Sequence, residues 1–172
     1  AGQLVDRIGV SFGMGFPAGP ALEQLALSCT EPPQALIPCS LENGDLSCHL
    51  SGAENKVQQL LQQGKVTREQ AALEVFDLLS RTIARMLIAG RKKTGAKQAL
   101  VVGGVASSTL LRKLIQQRLS KARSPMQVVF GDPRYSADVK SAVGSAMVTP
   151  EPGMVIRAYA VENGKFASAV VE

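Results

Sequence analysis

The stretch from Leu100 to Arg112 constrains this chain more than any other. An apolar run, Leu100-Val101-Val102, ends in Gly103-Gly104. It then passes through Val105-Ala106-Ser107-Ser108 into the amphipathic pattern Thr109-Leu110-Leu111-Arg112. The order predicts a strand, a sharp turn and a helix. Two adjacent residues without Cβ atoms let the backbone bend and let a flat or anionic group approach the main chain. The helix start that follows carries N–H groups without intrahelical partners and the positive end of the dipole, which together favour an anion. A tight strand-to-helix turn with no ligand satisfies the same residues, and paired glycines are a weaker signal than a full G-x-G-x-x-G fingerprint.

The 172 residues suit one sizeable domain or two small ones, with roughly two-thirds of the unfolded surface buried on folding. Only 4% of residues are aromatic and Trp is absent, so the core must rest on Leu, Val, Ile and Ala. No apolar run approaches the roughly 18 residues of a membrane span, and the N-terminal residues show no signal-peptide pattern; the expectation is a soluble, cytoplasmic protein without a membrane partner. Cys29, Cys39 and Cys48 are three in number and match no common zinc spacing, and His49 is the single histidine, so three reduced thiols are expected. Cys48 and His49 are adjacent on a predicted strand and point to opposite faces, which argues against a nucleophile pair. The net charge of +5 includes the run Arg91-Lys92-Lys93 and cations between Arg112 and Arg123. Such patches attract phosphates, but a solvated helix face is the reading we favour, since no aromatic residues are interleaved for base stacking.

Leu4, Val5, Ile8 and Phe12 recur at helical spacing and predict a first helix to about residue 13. A turn-rich link follows, then a short helix over Ala21–Leu27 and a Pro-containing surface loop over 30–40. Asn43-Gly44-Asp45 signals a turn, with a strand near Leu46–Leu50. Ser51 with Glu54, and Thr67 with Gln70, read as capping boxes for two helices, the first ending near Gln63-Gly64 and the second running to about Gly90. The stripe Ala71, Val75, Leu78, Leu79, Ile83, Met86 and Leu87 of the long helix reads as core. Strands over Lys97–Val102 and Gln127–Phe130, with a helix that faces the core through Leu110, Leu111, Leu114, Ile115 and Leu119 and another over 137–147, argue a βαβ crossover and a partly parallel sheet. Asn163-Gly164 between two apolar runs predicts a terminal β-hairpin, which can pair across a homodimer. The chain thus divides into a helical part, about 1–96, a βαβ core, about 97–148, and a hairpin, 153–172.

Four segments, in order, resemble one family, the threonylcarbamoyl transferases that modify the adenosine next to the anticodon in tRNA, also called O-sialoglycoprotein endopeptidases or glycoproteases. Asp6-Arg7 through Gly15-Phe16-Pro17-Ala18-Gly19-Pro20 is similar to the family's D-K…Y-P-G-G-P. Asp45-Leu46-Ser47 with Leu50-Ser51-Gly52 is similar to D-F-S-F-S-G-L-K, and Val102–Ser108 with Leu111-Arg112 to G-G-V-A-A-N-x-x-L-R. Pro133-Arg134-Tyr135-Ser136-Ala137-Asp138 is similar to P-x-Y-C-T-D-N. The resemblance covers the C-terminal half of a family member. It implies an α/β fold of the actin, sugar-kinase and chaperone-ATPase (ribonuclease H-like) kind, as a half with a helical insertion and a C-terminal β-hairpin. The half carrying the H-x-x-x-H metal pair is not represented, so the resemblance implies a partner: the N-terminal half of the same protein or a related subunit, with tRNA engaged indirectly.

The same resemblance implies ATP or an adenylate and a divalent metal as cofactors of the intact protein. Asp6 would accept hydrogen bonds from a ribose, a task for an acceptor-only carboxylate; a helix first-turn Asp favoured by the dipole is the alternative. Gly19 would let the main chain approach the nucleotide, or serves turn geometry alone. Gly103, Gly104 and Ser108 would lie against the nucleotide, and Asp138 would complete the metal site, or else cap a helix. The sequence departs from the family at Ala18 and Ser108, where the family has Gly and Asn, at Val139, and at Ala53-Glu54, which inverts a charge. Two function classes follow: the nucleotide-binding half of a metal-dependent transferase, inactive alone, or a diverged non-catalytic paralogue that binds and assembles. A peptidase is disfavoured, since the chain contains no H-E-x-x-H and no Ser/His/Asp or Cys/His constellation.

Overall fold

A computed structural model describes residues 1–123, 126–131, 161–162 and 165–166. The longest element is the helix α4, Arg68–Thr94, preceded by α1 (Gly2–Ser11), α2 (Gly19–Leu27), the strands β1 (Ser40–Glu42) and β2 (Ser47–His49), and α3 (Ser51–Gln62). After it come β3 (Gln98–Val101), a 3₁₀ turn at Gly104–Ser107, α5 (Thr109–Lys121) and β4 (Gln127–Phe130). Short strands β5 (Val161–Glu162) and β6 (Lys165–Phe166) pair antiparallel, and the remainder of the expected hairpin, like the expected helix over 137–147, lies outside the described residues.

Helix α4 starts where Thr67 Oγ1 accepts the N–H of Gln70 at 3.2 Å, the N-cap expected of the motif. Only half of the capping box closes, because the Gln70 side chain turns inward to Cys29 and Glu74 instead. Glu69 is held below its ordinary carboxyl range, first by its own backbone N–H and then by the Thr67 hydroxyl. The helix passes Gly90 and stops at Gly95, whose φ of +73° is the left-handed C-cap. An isolated glycine does not end a helix whose last turn, Arg91-Lys92-Lys93, complements the dipole.

Every residue of α4 from Gln70 to Ser80 is buried, since α2, α3 and α5 all pack on it. Of the expected stripe, Ala71, Val75, Leu78 and Leu79 are core, with Ile83 and Leu87 packed at its margin, while Met86 does not join the cluster. The helix also carries Glu74 and Asp77 inside, at 0% and 1% exposure. Burying a charge is costly unless it is paired or hydrogen-bonded. Glu74 accepts the N–H of Gln34 at 2.6 Å, the N–H of Leu36 at 2.7 Å and Gln70 Nε2 at 3.1 Å. The segment read as a surface loop is therefore drawn onto α4, and its Ile37 is core at 1% exposure. Asp77 pairs with Arg81 Nε at 2.7 Å and with Arg118 of α5.

Two further corrections concern local starts. The end of the expected loop forms β1, which pairs antiparallel with β2 across Asn43-Gly44-Asp45. Ser51 does not cap α3: Leu50 holds the N-cap position, without a side-chain cap bond, and Glu54 lies 3.6 Å from Arg7 instead.

β3 and β4 run parallel, with Leu100 opposite Val129 and Val101 opposite Phe130, and α5 joins them as the expected crossover. One face of the pair packs on the core through Val128 and Phe130. The other leaves Leu100, Val102 and Val129 exposed at 54%, 64% and 44%. Among the described residues, no helix is long and apolar enough to cross a membrane.

Candidate functional site

The Gly103-Gly104 turn leaves the carboxyl end of β3 as the sequence pattern predicts, but it enters a 3₁₀ turn before α5 begins. Gly103 has φ +115° and ψ 160°, a conformation that L side chains rarely adopt. Among the described residues, a Cβ built at Gly103 or Gly104 meets nothing within 4 Å. Gly103 therefore serves the backbone's path, and among the described residues the space above both glycines is open. Arg112 fastens this turn: its Nε donates to the Ala106 carbonyl at 2.6 Å and its Nη2 to the Gly131 carbonyl at 2.9 Å. The guanidinium lies 5.2 Å from the Phe130 ring centroid.

The start of α5 differs from expectation. Its N–H groups do not await an anion, because the chain supplies one. Glu23 of α2 accepts the Leu110 N–H at 2.8 Å and the Thr109 hydroxyl at 2.9 Å. Ser108, 8% exposed, caps the same helix by accepting the Leu111 N–H at 3.1 Å. A carboxylate at a helix N-terminus is stabilised by the dipole, so a phosphate would have to take its donors from the turn itself.

Asp6 lies in the middle of α1, beyond the first turn, and so does not serve as a first-turn acid. Its Oδ1 accepts the N–H of Ala18 at 2.9 Å, which fixes the start of α2. Ala18 is fully buried, and its methyl occupies the space that a Cβ on Gly9 would need, 2.4 Å away. The departure from Gly at this position is thus accommodated by Gly9. Gly19 is the first residue of α2, and a Cβ there would come no nearer than 3.8 Å to Val5 Cγ1, an ordinary contact. Helix α1 lies against the 3₁₀ turn and α2 is bound to α5 through Glu23. The elements carrying Asp6, Gly19, Gly103, Gly104 and Ser108 are therefore neighbours.

Asp138 lies outside the described residues. Among the described residues no group of three or more His, Cys, Asp or Glu side chains is arranged to hold a metal. His49 pairs through Nε2 with Glu42 Oε2 at 2.9 Å, on the β1–β2 hairpin. The described residues do not fit a metal centre by themselves. All three cysteines are free thiols. Glu23, Glu74 and Asp77 escaped the sequence reading, because each serves a contact to an element distant in the chain and carries no local motif.

The sequence model of the family TsaD, tRNA N6-adenosine threonylcarbamoyltransferase, matches residues 1–144. A tRNA N6-adenosine threonylcarbamoyltransferase of Bordetella petrii is 30% identical over 126 residues, covering 69% of this chain and 36% of that protein. Its counterpart from Bordetella avium is 32% identical over 133 residues, covering 72% of this chain and 38% of that protein. The chain thus spans well under half the length of these curated relatives. The crystal structure of T. kodakarensis HypF superposes with a TM-score of 0.58 at 16% identity, over 76% of this chain and 17% of that one, a likeness of fold alone. With residues 1–144 matched, and with a glycine turn, Asp6 and Arg112 in the arrangement described, the chain belongs to the TsaD family of tRNA N6-adenosine threonylcarbamoyltransferases.

Proposed function

We propose that this chain supplies the nucleotide-binding half of a threonylcarbamoyl transferase-like protein that modifies tRNA adenosine in the cytoplasm, and that it does not turn over alone. The observation that carries the reading is the Gly103-Gly104 turn. Among the described residues it is open and free of side chains, and it stands at the carboxyl end of a parallel strand pair, where open α/β sheets take their ligands. Its main chain permits close approach of ATP or an adenylate. Asp6 uses Oδ1 on Ala18 and offers Oδ2 to a ribose hydroxyl. The Ser108 hydroxyl, an acceptor toward Leu111, keeps its proton to donate. Gly19 keeps the start of α2 slim beside them.

In the reaction that family membership implies, an amine of the tRNA base attacks a carbamoyl carbonyl and an adenylate leaves. The part of these residues is to hold and orient the adenylate. The open apolar face of Leu100, Val102 and Val129 supports a further covering layer, because parallel sheets are ordinarily covered on both sides. The occupant in this reading is the other half of the protein or a related subunit. That half would also bring the metal-binding histidines, with Asp138 contributing from this one.

The test is calorimetric titration of the chain with ATP, for the wild type, Asp6→Ala and Gly104→Val. Both substitutions are expected to abolish binding, and Gly104→Val should do so with little change in stability, since among the described residues nothing lies within 4 Å of its Cβ. Affinity indifferent to both refutes the pocket, and a folded chain that binds no nucleotide leaves the assembly-subunit reading. Transfer to tRNA by this chain alone refutes its incompleteness.

A further inference from the structure

The carboxyl half of α4 borders two cavities that the nucleotide reading does not use. One, of about 600 Å³, is lined by Asp45, Arg85, Ile88, Lys92 and Lys93 among others. The second, of about 370 Å³, is lined by Cys39, Arg81, Ala84, Arg85, Ile88 and Arg118. They share Arg85 and Ile88 and so adjoin. The charge here is unbalanced. The single buried carboxylate of Asp77 faces two guanidiniums, Arg81 and Arg118, whose side chains are 17% and 31% exposed. Arg85 is matched by Asp45 at 3.0 Å, while among the described residues neither Lys92 nor Lys93 makes an ion pair. Arg81 also donates to the Ile37 carbonyl and Cys39 Sγ, and Arg118 to Ser80 Oγ, but these partners are neutral; the excess charge of this partly buried pair, beside exposed Arg85, Lys92 and Lys93, is stabilised by an anion. The guanidiniums are already oriented by their carboxylates, so little rotamer entropy remains to be lost on binding.

We propose that these adjoining cavities bind a small ligand bearing two linked phosphates, one group at Arg85 and Arg118 and the other at Lys92 and Lys93. Both cavities are of small-ligand size, and Ile88 and Ala84 provide an apolar floor between the charged groups. The diphosphate is either free or carried on an organic group, and the site is separate from the Gly103-Gly104 turn.

Calorimetry with inorganic pyrophosphate at physiological salt tests this, on the whole chain. The Arg85→Ala/Lys92→Ala/Lys93→Ala variant is expected to weaken binding at least about tenfold, a loss of about 1.4 kcal/mol; circular dichroism checks that it folds. Should the triple variant not fold, Lys92→Gln/Lys93→Gln replaces it, with a drop of at least about threefold expected. ADP titrated in a Gly104→Val background distinguishes the sources: tighter than pyrophosphate means a diphosphate on an organic group, weaker means the free ion. The proposal falls if neither probe binds saturably, or if Gly104→Val abolishes pyrophosphate binding. It also falls if the cationic substitutions weaken an RNA oligonucleotide but leave pyrophosphate unmoved. Since Gly104 lies outside these cavities, failure here leaves the nucleotide reading standing, and the converse.

Discussion

Replacing Gly9 by alanine would ask α1 and α2 to occupy the same space. The added Cβ would stand 2.4 Å from the Ala18 methyl, 3.4 Å from Met14 Sδ and 3.5 Å from the Ala18 carbonyl oxygen. Carbon atoms in van der Waals contact sit about 3.5–4.0 Å apart, so more than an ångström of overlap must be relieved. Met14 can swing away, but Ala18 cannot: it is fully buried and its N–H is held by Asp6 at 2.9 Å. Overpacking of this kind costs about 1–3 kcal/mol. The 2.4 Å approach places the cost at the upper end of that range, and alanine's better helix propensity returns up to about 1 kcal/mol, so the net loss is about 2 kcal/mol, or a fall of roughly 4–8 °C in Tm. Urea and thermal melts of a double-mutant cycle with Ala18→Gly isolate the contact. Ala18→Gly alone loses a buried methyl, worth about 0.8 kcal/mol. In the Gly9→Ala/Ala18→Gly double variant one methyl replaces the other, and a coupling of about 1 kcal/mol or more is expected. A Gly9→Ala chain as stable as the wild type, or additive substitutions, would refute the reasoning.

Other positions give independent checks. Glu74→Gln keeps one acceptor oxygen and sets an amide nitrogen against one of the two backbone N–H donors, and urea melts should show a loss of about 2 kcal/mol; a change below about 0.5 kcal/mol would mean that the carboxylate does not hold the 30–40 loop. Asp77→Asn leaves Arg81 and Arg118 without a counter-charge and should cost about 3 kcal/mol, read by the same melts, with partial recovery in high phosphate. Gly103→Ala strains a backbone at φ +115° and should cost about 1–3 kcal/mol, although its methyl meets nothing within 4 Å among the described residues. Thr67→Val removes the hydroxyl that helps hold Glu69 low, so NMR titration should show the Glu69 pKa moving up toward 4.5. The sign follows: a depressed folded pKa stabilises above the unfolded value, and that contribution disappears as pH falls through the folded one. The wild type should therefore lose this contribution in acid, and Thr67→Val should show less of that dependence.

Local signals were enough for much of this chain. The spacing of Leu4, Val5 and Ile8, the cap at Thr67, the turn at Asn43-Gly44-Asp45 and the strand–Gly-Gly–helix order all act within a few residues, where hydrogen-bond geometry and side-chain period operate. Hence the helices, the parallel β3–β4 pair and the glycine turn were legible, and the ordered motifs around Asp6, Gly19 and Gly104 already pointed to the family. What the anion-binding end of α5 faces was a different matter. Its donors are taken by Glu23, a residue some ninety positions earlier by sequence but a neighbour in space. Glu74 and Asp77 sit where helical period alone cannot distinguish an exposed acid from a buried one. Their burial follows from α4 being surrounded by α2, α3 and α5, and from distant donors, the N–H groups of Gln34 and Leu36 and the guanidinium of Arg118, that arrive only when the chain has packed. Sequence by itself determined most of the helices, the parallel strand pair and the glycine turn between them. The tertiary structure decided which charges are compensated, because compensation depends on distance through space, to which separation along the chain is no guide.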